Sequence, residues 1–310
     1  MLKEDILKAL SGARERYLSG QELAKTFGVS RSAVWKAVKA LQADGVEIEA
    51  VTNKGYRLKP DALTRFDIVL PEGAKLYFYD SIDSTNTQAK RLLAEGLSGN
   101  ALITANEQTA GRGRQGRSFY SPKNTGIYYS YVFHPQKTLA DAVFITTAAA
   151  VSVIRAIERL SAVKPTIKWV NDVYVEGKKI CGILTEAVSD FESGALESVI
   201  VGIGINVSTA SFPEELRDTA ASLGDASITR AQLLNTAVEE LVRVAEDLEN
   251  PAIMEDYKRH SAVIGKEITF IKNGTTTKAV AVDIDEKGGL VVKTEQGTLT
   301  LSSGEITVRL

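Results

Sequence analysis

The segment Gly111-Arg112-Gly113-Arg114-Gln115-Gly116-Arg117 interleaves three arginines with three glycines, and its flanks decide which folds are open to the chain. Gly111, Gly113 and Gly116 satisfy the spacing of a dinucleotide-binding fingerprint. That fingerprint needs a strand before it and a helix opening directly after it, so that the helix N-terminus takes the pyrophosphate. Ala101–Asn106 supplies a strand. The loop then runs into Ser118-Phe119-Tyr120-Ser121-Pro122-Lys123-Asn124-Thr125-Gly126, a turn that leads into the β-rich run Ile127–Phe133. No helix stands where the pyrophosphate would need one, and a Rossmann fold is excluded. A disordered Arg/Gly tract is also a poor reading, because β-like stretches flank the loop on both sides. From Gln108 to Ala140 there is no Asp or Glu. Glycines let the backbone come close to a ligand, and forked guanidinium donors fit carboxylate and phosphate oxygens. The composition suits a loop that closes over an anion.

At 310 residues the chain is long enough for two or three domains. Its 44% hydrophobic and 25% charged residues place it among ordinary soluble globular proteins. A net charge of −2 conceals an asymmetry: residues 1–60 hold eleven Lys and Arg against seven Asp and Glu, a net of +4, which leaves −6 on the rest. A basic block on an acidic body points to nucleic acid contact through that block. With one cysteine, Cys181, no internal disulfide forms. Charges at Lys3, Glu4, Asp5 and Lys8 interrupt any signal-like start. The most apolar run, Ala142–Ile154, is too short to span a bilayer. The expectation is a cytoplasmic protein with no membrane partner.

Residues 1–62 read as one domain. Residues 3–11 form an amphipathic helix with Ile6, Leu7 and Leu10 inward. Ser19 caps a second helix, with Glu22 placed for a capping box, and Gly28 ends it. Ser30 caps a third helix to about Gln42, with Val34, Trp35, Val38 and Leu41 as its apolar stripe. Val46–Ala50 and Gly55–Leu58 alternate like two strands around Thr52-Asn53-Lys54. Three helices and a hairpin make a winged helix-turn-helix, whose third helix enters the major groove. Its candidate DNA contacts are Arg31, Ser32, Lys36 and Lys39, with Lys54 on the wing. A small helical domain used for protein contacts is the plainer alternative.

Residues 63–262 alternate strands and helices in mixed order, an α+β pattern with an antiparallel-rich sheet. Strands fall at Leu76–Tyr79, Ala101–Asn106, Ile127–Phe133, Thr166–Trp169, Lys179–Ala187 and Ser198–Asn206, with a turn at Val173–Lys178. Helices run from Asp83-Ser84-Thr85-Asn86 to about Glu95, with Ser84 as N-cap, and over Leu139–Leu160 and Ile228–Leu248. Three polar clusters stand out: Lys168-Trp169-Val170-Asn171-Asp172, Lys178-Lys179-Ile180-Cys181-Gly182, and Asn206 closing an apolar strand. Each alone has a mundane reading as surface charge, turn signal or strand-end cap. With the Gly/Arg loop they supply what nucleotide activation of a carboxylic acid needs. Cations neutralise phosphates, a carboxylate, Asp172, holds Mg²⁺, and an aromatic stacks on a base. Residues 263–310 show strands at Glu267–Lys272, Lys278–Asp285, Gly289–Glu295, Gly297–Ser302 and Glu305–Leu310, with turns at Lys272-Asn273-Gly274 and Lys287-Gly288-Gly289. That pattern is a small SH3-like barrel.

The motifs Gly-Arg-Gly-Arg-Gln-Gly-Arg, Lys-Trp-Val-Asn-Asp and Gly-Ile-Gly-Ile-Asn, in this order and behind a winged helix, resemble the bifunctional biotin protein ligases and biotin operon repressors over nearly the whole chain. The resemblance implies a class II synthetase-like central domain. It implies that biotin and ATP give biotinyl-5′-adenylate and that biotin then passes to one lysine of a carrier domain of acetyl-CoA carboxylase or pyruvate carboxylase. Ser84, Thr85, Asn86, Gln108, Gly111, Arg112, Gly113, Arg114, Lys179 and Gly182 are implied for biotin. Arg114, Arg117, Phe119, Trp169, Asn171, Asp172 and Asn206 are implied for ATP and adenylate. Lys179, Arg114 and Asp172 are the implied catalytic groups, with Asp172 toward Mg²⁺. Operator DNA and a homodimer in the adenylate-bound state complete the implied partners. Val170 stands where the family usually has proline, which loosens the approach to Asn171. Gln115 and Phe119 replace the common Arg and Trp, and Phe119 lacks an indole donor. Cys181 is not needed as a nucleophile and reads as a small buried apolar residue. Two other functions fit the sequence: a transcription factor that only senses biotin, and a ligase for lipoate or another acyl group on the same fold.

Overall fold

The computed structural model describes residues 2–135, 142–189, 196–272, 275–302 and 306–308. The chain forms two compact units, Met1–Val69 with Thr229–Gln232, and Leu70–Ile228 with Leu233–Leu310.

In the first unit, α1 (Leu2–Ser11), α2 (Gly20–Phe27) and α3 (Arg31–Ala43) precede a hairpin of β1 (Ile48–Val51) and β2 (Gly55–Leu58). Ser19 caps α2 by accepting from the Glu22 backbone N–H. The Glu22 carboxylate pairs with Arg16 at 2.7 Å, and Arg16 together with the Ser19 backbone N–H holds its carboxyl below the ordinary value, in keeping with a capping box. Gly28 leaves α2 with φ 65° and Ser30 caps α3, which gives the tight turn between crossed helices. The hairpin turns through Asn53 at φ 66°. Gly55 is held so close to the chain before α2 that a Cβ there would lie 2.2 Å from the Leu18 carbonyl.

One element of the expected core is corrected. Val34, Ala37, Val38 and Leu41 form the buried stripe of α3, whereas Trp35 is 52% exposed. Ala37 completes a continuous stripe one helical turn beyond Val34, and Trp35 lies about 100° around the helix from Val34.

The second unit is built on a seven-stranded sheet of order β3-β4-β5-β9-β8-β7-β6. Its strands are β3 (Lys75–Tyr79), β4 (Ala101–Ala105), β5 (Gly126–Phe133), β6 (Thr166–Lys168), β7 (Asp172–Val175), β8 (Lys178–Ser189) and β9 (Leu196–Asn206). Among its described strands, only β3 and β4 pair in parallel. Helix α4 (Thr85–Ala94) packs on β4, β5 and β9, and α5 (Ala142–Leu160) on β7 and β8. Ile127, Tyr128, Tyr129 and Val132 of the interior strand β5 are fully buried.

The expected turn at Val173–Lys178 is largely a strand. Val173 and Tyr174 pair with β6 on one side and β8 on the other, and the turn shrinks to Glu176 and Gly177, with φ of 50° and 76°. Two neighbouring strands supply the ladder bonds that a four-residue segment lacks alone. Following α6 (Arg230–Glu246), a further helix unforeseen in the sequence, α7 (Pro251–Arg259), opens on an Asn250 N-cap with Pro251 in its first turn. Among the described residues, no helix is long and apolar enough to cross a membrane.

The C-terminal segment adds β10 (Glu267–Lys272), β11 (Thr275–Ile284), β12 (Leu290–Thr294), β13 (Gly297–Leu301) and β14 (Ile306–Thr307), an antiparallel sheet of order β13-β12-β11-β10-β14. A bulge between Ala281 and Asp283 bends β11. Asn273 and Gly274 of one expected turn, Leu139–Asp141 of the expected long helix, and Glu305, Arg309 and Leu310 of the last expected strand lie outside the described residues.

Candidate active site

A cavity of about 300 Å³ opens over one face of the seven-stranded sheet. The Gly/Arg loop forms one wall. Its own backbone closes it as a narrow hairpin: Gly113 N–H donates to Arg117 O at 2.7 Å, and Phe119 N–H to Gly111 O at 2.8 Å. Gln115 and Gly116 turn its tip in the left-handed region, with φ of 54° and 75°. At Gly111 the strands of this hairpin touch, since a Cβ would sit 2.4 Å from the Phe119 carbonyl. Gly111 therefore serves the close approach of backbone to backbone, and Gly116 the left-handed turn at the tip.

Arg112, Arg114, Arg117, Lys168 and Lys179 line this cavity, and Asp172 is the one carboxylate among its lining residues. Lys179 Nζ pairs with Asp172 Oδ1 at 2.6 Å. The Lys179 backbone is fixed as well, donating to Thr219 O at 2.8 Å and accepting from Ala221 N–H at 2.9 Å. Arg114 Nη1 donates to Asn171 Oδ1 at 3.0 Å, and Asn171 Nδ2 donates to Ile183 O at 2.8 Å. Lys168 lies 5.8 Å from the Tyr174 ring centroid. Burial, with Asp172 adding to it, pushes the Tyr174 hydroxyl up to about 12, so it stays neutral. This end of the cavity is a cationic, partly desolvated pocket, suited to stabilise phosphate charge.

Phe119 and Trp169 bound the same end. Phe119 packs over β9, where a Cβ on Gly204 would meet its ring at 2.4 Å. Trp169 is 4% exposed, and its indole N–H donates to Gly288 O at 2.9 Å. Ile306 and Thr307 of β14 also line the cavity.

The opposite end is neutral and polar. Ser84 caps α4. Thr85 N–H and Thr85 Oγ1 both approach Gln108 Oε1, at 2.9 and 3.1 Å. Gln108 Nε2 donates to Ser121 Oγ at 2.9 Å. Asn86 fills space that a Cβ on Gly202 would occupy. Gly182 faces Lys179 and Phe119.

Of the expected site residues, Ser84, Thr85, Asn86, Gln108, Arg112, Gly113, Arg114, Arg117, Phe119, Trp169, Asn171, Asp172, Lys179 and Gly182 line the cavity together. Gly111 stands just behind them in the loop hairpin. Asn206 is not among the lining residues: it is buried and its Nδ2 donates to Ala221 O at 3.1 Å, which ties β9 to the segment that pairs with Lys179. Cys181 points to the other face, where burial pushes its thiol far up, so it offers no nucleophile. Ser130, Ser121 and Glu186 belong to the site's polar network and were missed. Ser130 had a signal, a small polar residue in the run Tyr128-Tyr129-Ser130-Tyr131. Among the described residues there is no cluster of three or more His, Cys, Asp or Glu to hold a metal. In the first unit, Arg31, Ser32, Lys36, Lys39 and Lys54 are all exposed, and Lys54 Nζ lies 5.9 Å from the Tyr17 ring centroid.

Fold and site together define a biotin/lipoate-type protein ligase fused to a helix-turn-helix module. The sequence matches the Biotin/lipoate A/B protein ligase family over residues 78–206, an HTH domain over 3–57 and the Biotin protein ligase C terminal domain over 263–309. Two relatives named Bifunctional ligase/repressor BirA, from Bacillus spizizenii and Bacillus subtilis, are 35% and 34% identical, each over 98% of both chains. The biotin protein ligase from Aquifex aeolicus in complex with biotin and ATP superposes with a TM-score of 0.64 at 28% identity, over 76% of this chain and 98% of that one. The chain belongs to the bifunctional biotin ligase/repressor family.

Proposed function

We propose that this protein activates biotin with ATP, hands it to a lysine of a carrier domain of the acetyl-CoA carboxylase or pyruvate carboxylase type, and represses transcription in response to biotin. The carrying observation is the division of one cavity into a neutral polar end and a cationic end. Hydroxyls and amides at Ser84, Thr85, Asn86 and Gln108 suit a ureido ring, a neutral group with donors and an acceptor. Arg114, Arg117 and Lys179 suit a carboxylate meeting a triphosphate, while Arg112 pairs with Glu186 at 3.2 Å, beside Asn86.

In the first step a biotin carboxylate oxygen bonds to the α-phosphorus of ATP, and the bond from that phosphorus to the β-phosphate bridging oxygen breaks, releasing pyrophosphate. Lys179, held by Asp172 at 2.6 Å, stands where charge shifts on the acyl phosphate. Arg114 and Arg117 neutralise phosphate oxygens. In the second step the neutral amine of the carrier lysine attacks the biotinyl carbonyl, AMP leaves with the bonding pair, and the amine's proton is lost to solvent. No covalent enzyme intermediate is needed; positioning, charge neutralisation and exclusion of water do the work. Mg²⁺ is commonly held by one or two carboxylates plus substrate phosphates. The single carboxylate Asp172 fits that mode, with most ligands coming from the nucleotide, and the ion would supply charge neutralisation.

The four cationic residues Arg114, Arg117, Lys168 and Lys179 favour a ligase over a protein that only senses biotin, which has no use for a phosphate-binding end. Repression uses α3 as the major-groove helix, with Arg31, Ser32, Lys36, Lys39 and Lys54 toward DNA and a homodimer formed in the adenylate-bound state matching a two-fold operator. The site of action is the cytoplasm. Purified protein with ATP, Mg²⁺ and biotin is expected to label a recombinant biotin carrier domain, with biotinyl-adenylate retained on the enzyme by mass spectrometry. Arg114→Ala is expected to release the adenylate. Absence of labelling, or labelling with lipoate in preference to biotin, would overturn the reading.

A further inference from the structure

The indole of Trp169 bounds the cationic end of the cavity, and the acceptor that holds it belongs to the C-terminal sheet. Trp169 Nε1–H donates to Gly288 O at 2.9 Å, and Trp169 is 4% exposed. A buried donor left without an acceptor is costly, so the direction of the Gly288 carbonyl governs where the ring settles.

Gly288 lies in the turn Asp285–Gly289, which joins β11 to β12. Asp285 folds this turn. Its Oδ1 accepts from Gly289 N–H at 2.7 Å and from Lys287 N–H at 2.9 Å. Its backbone adds further bonds: Asp285 N–H donates to Gly289 O at 2.8 Å, and Gly288 N–H donates to Asp285 O at 3.0 Å. Gly288 takes a φ of 81°. It packs so tightly on α5 that a Cβ there would lie 2.8 Å from Thr147 Cγ2.

The Gly289 N–H and the Gly288 carbonyl are two ends of one peptide group. A planar trans peptide points them to opposite sides. Asp285 therefore grips one end while Trp169 binds the other, and a single buried peptide joins the carboxylate to the indole. A carboxylate on the N–H orients that peptide and strengthens the bond its carbonyl accepts.

The backbone beside Trp169 is held separately. Tyr257 Oη of α7 donates to Val170 O at 3.1 Å, and Asn171 Nδ2 donates to Ile183 O at 2.8 Å. Loss of the Asp285 link thus frees the orientation of the ring and leaves in place the segment that carries it.

We propose that Asp285, which is not among the cavity's lining residues, is a positioning residue for the nucleotide: through the Gly288–Gly289 peptide its carboxylate sets the indole of Trp169 against the adenylate end of the cavity. This inference rests on the ligase reading above.

Biotin-dependent ATP–pyrophosphate exchange by the full-length protein tests it. Asp285→Ala is expected to raise the KM for ATP about fivefold, the scale of one hydrogen bond, and to leave that for biotin unchanged. Asp285→Asn keeps an acceptor oxygen for the same N–H groups and is expected to stay within about twofold of the parent. Trp169→Phe keeps an aromatic ring and removes the indole donor. It is expected to raise the same KM, and Asp285→Ala is then expected to add nothing, because both variants break one link. Effects that multiply in the double variant, or equal rises in both KM values, make the role of Asp285 merely structural and overturn the proposal. Where thermal melts show that Asp285→Ala fails to fold, Trp169→Phe decides: a rise confined to ATP supports the proposal, and a KM for ATP at the parent's level overturns it. A parent that exchanges normally, with Asp285→Ala matching it, overturns the proposal and leaves the ligase reading standing. A parent without exchange overturns both.

Discussion

Gly204 is bare because Phe119 occupies the space its side chain would take, with the ring 2.4 Å from an added Cβ. The neighbouring small position on the same strand face, Gly202, makes room for Asn86 in the same way. Two glycines on one face of β9 thus hollow the floor so that an aromatic and an amide, arriving from a loop and a helix, can sit against the sheet. Gly204→Ala is expected to push Phe119 from its seat. Overpacking of this kind costs about 1–3 kcal/mol, read as a lower melting temperature. In steady-state labelling the KM for ATP is expected to rise while that for biotin changes little, since Asn86 keeps its place. Equal rises in both would show that Phe119 does not serve the nucleotide end. The glycines were legible in the sequence as Gly-Ile-Gly-Ile-Asn, but what fills their vacancies was not, because the fillers lie far away in the chain. The same distance hid the packing of Asn206. Its position at a strand end was visible, and its partner, the Ala221 carbonyl, was not.

At the scale of the element, the clearest outcomes belong to segments that carry their own signals. Ser19, Gly28 and Ser30 announce the boundaries of α2 and α3 through backbone groups they satisfy locally. Strand β7 carries no such signal, since its hydrogen bonds come from β6 and β8. Helix α3 shows a further limit. Residue type marked Trp35 as core, yet the stripe closes without it through Ala37. Trp35 instead stands between Arg31 and Lys39 at four-residue spacing, on a helix with no acidic residue, so the three share a face. On the proposed function α3 enters the major groove, where an exposed apolar ring between cations suits apolar contact with a thymine methyl group. Trp35→Ala is expected to relax sequence preference in a selection from random duplexes and to leave the salt dependence of binding unchanged. Lys36→Ala is expected to weaken binding to all duplexes alike and to lower the salt slope by about one. An unaltered preference in Trp35→Ala would remove the ring from base readout. With Trp169 buried at 4% exposure, quenching of intrinsic fluorescence on adding DNA reports on Trp35.

For the molecule as a whole, the charge split between residues 1–60 and the remainder separates two tasks that compete for one intermediate. On the proposed function, the basic block, at +4, would meet phosphates of DNA and the Gly/Arg loop phosphates of the adenylate. The loop's backbone bonds shape it as a hairpin, but fixing its arginine side chains costs conformational entropy, which adenylate contacts would offset on the proposed function. In the proposed coupling, the loop surface so fixed would complete a dimer, and a dimer binds a two-fold operator far better than one helix-turn-helix does. Coupling of this kind is reciprocal: whatever removes adenylate must release DNA. Gel shifts on the protein's own operator are therefore expected to tighten when biotin and ATP are added together, and not with either alone. Excess unbiotinylated carrier domain is expected to reverse the shift by consuming adenylate, while carrier with its acceptor lysine replaced by arginine leaves it intact. Arg114→Ala, which loses adenylate, is expected to bind operator at the weaker level whatever is added. A shift indifferent to biotin and ATP in the parent would separate the two halves of the molecule functionally, leaving the ligase reading untouched and the regulatory one refuted.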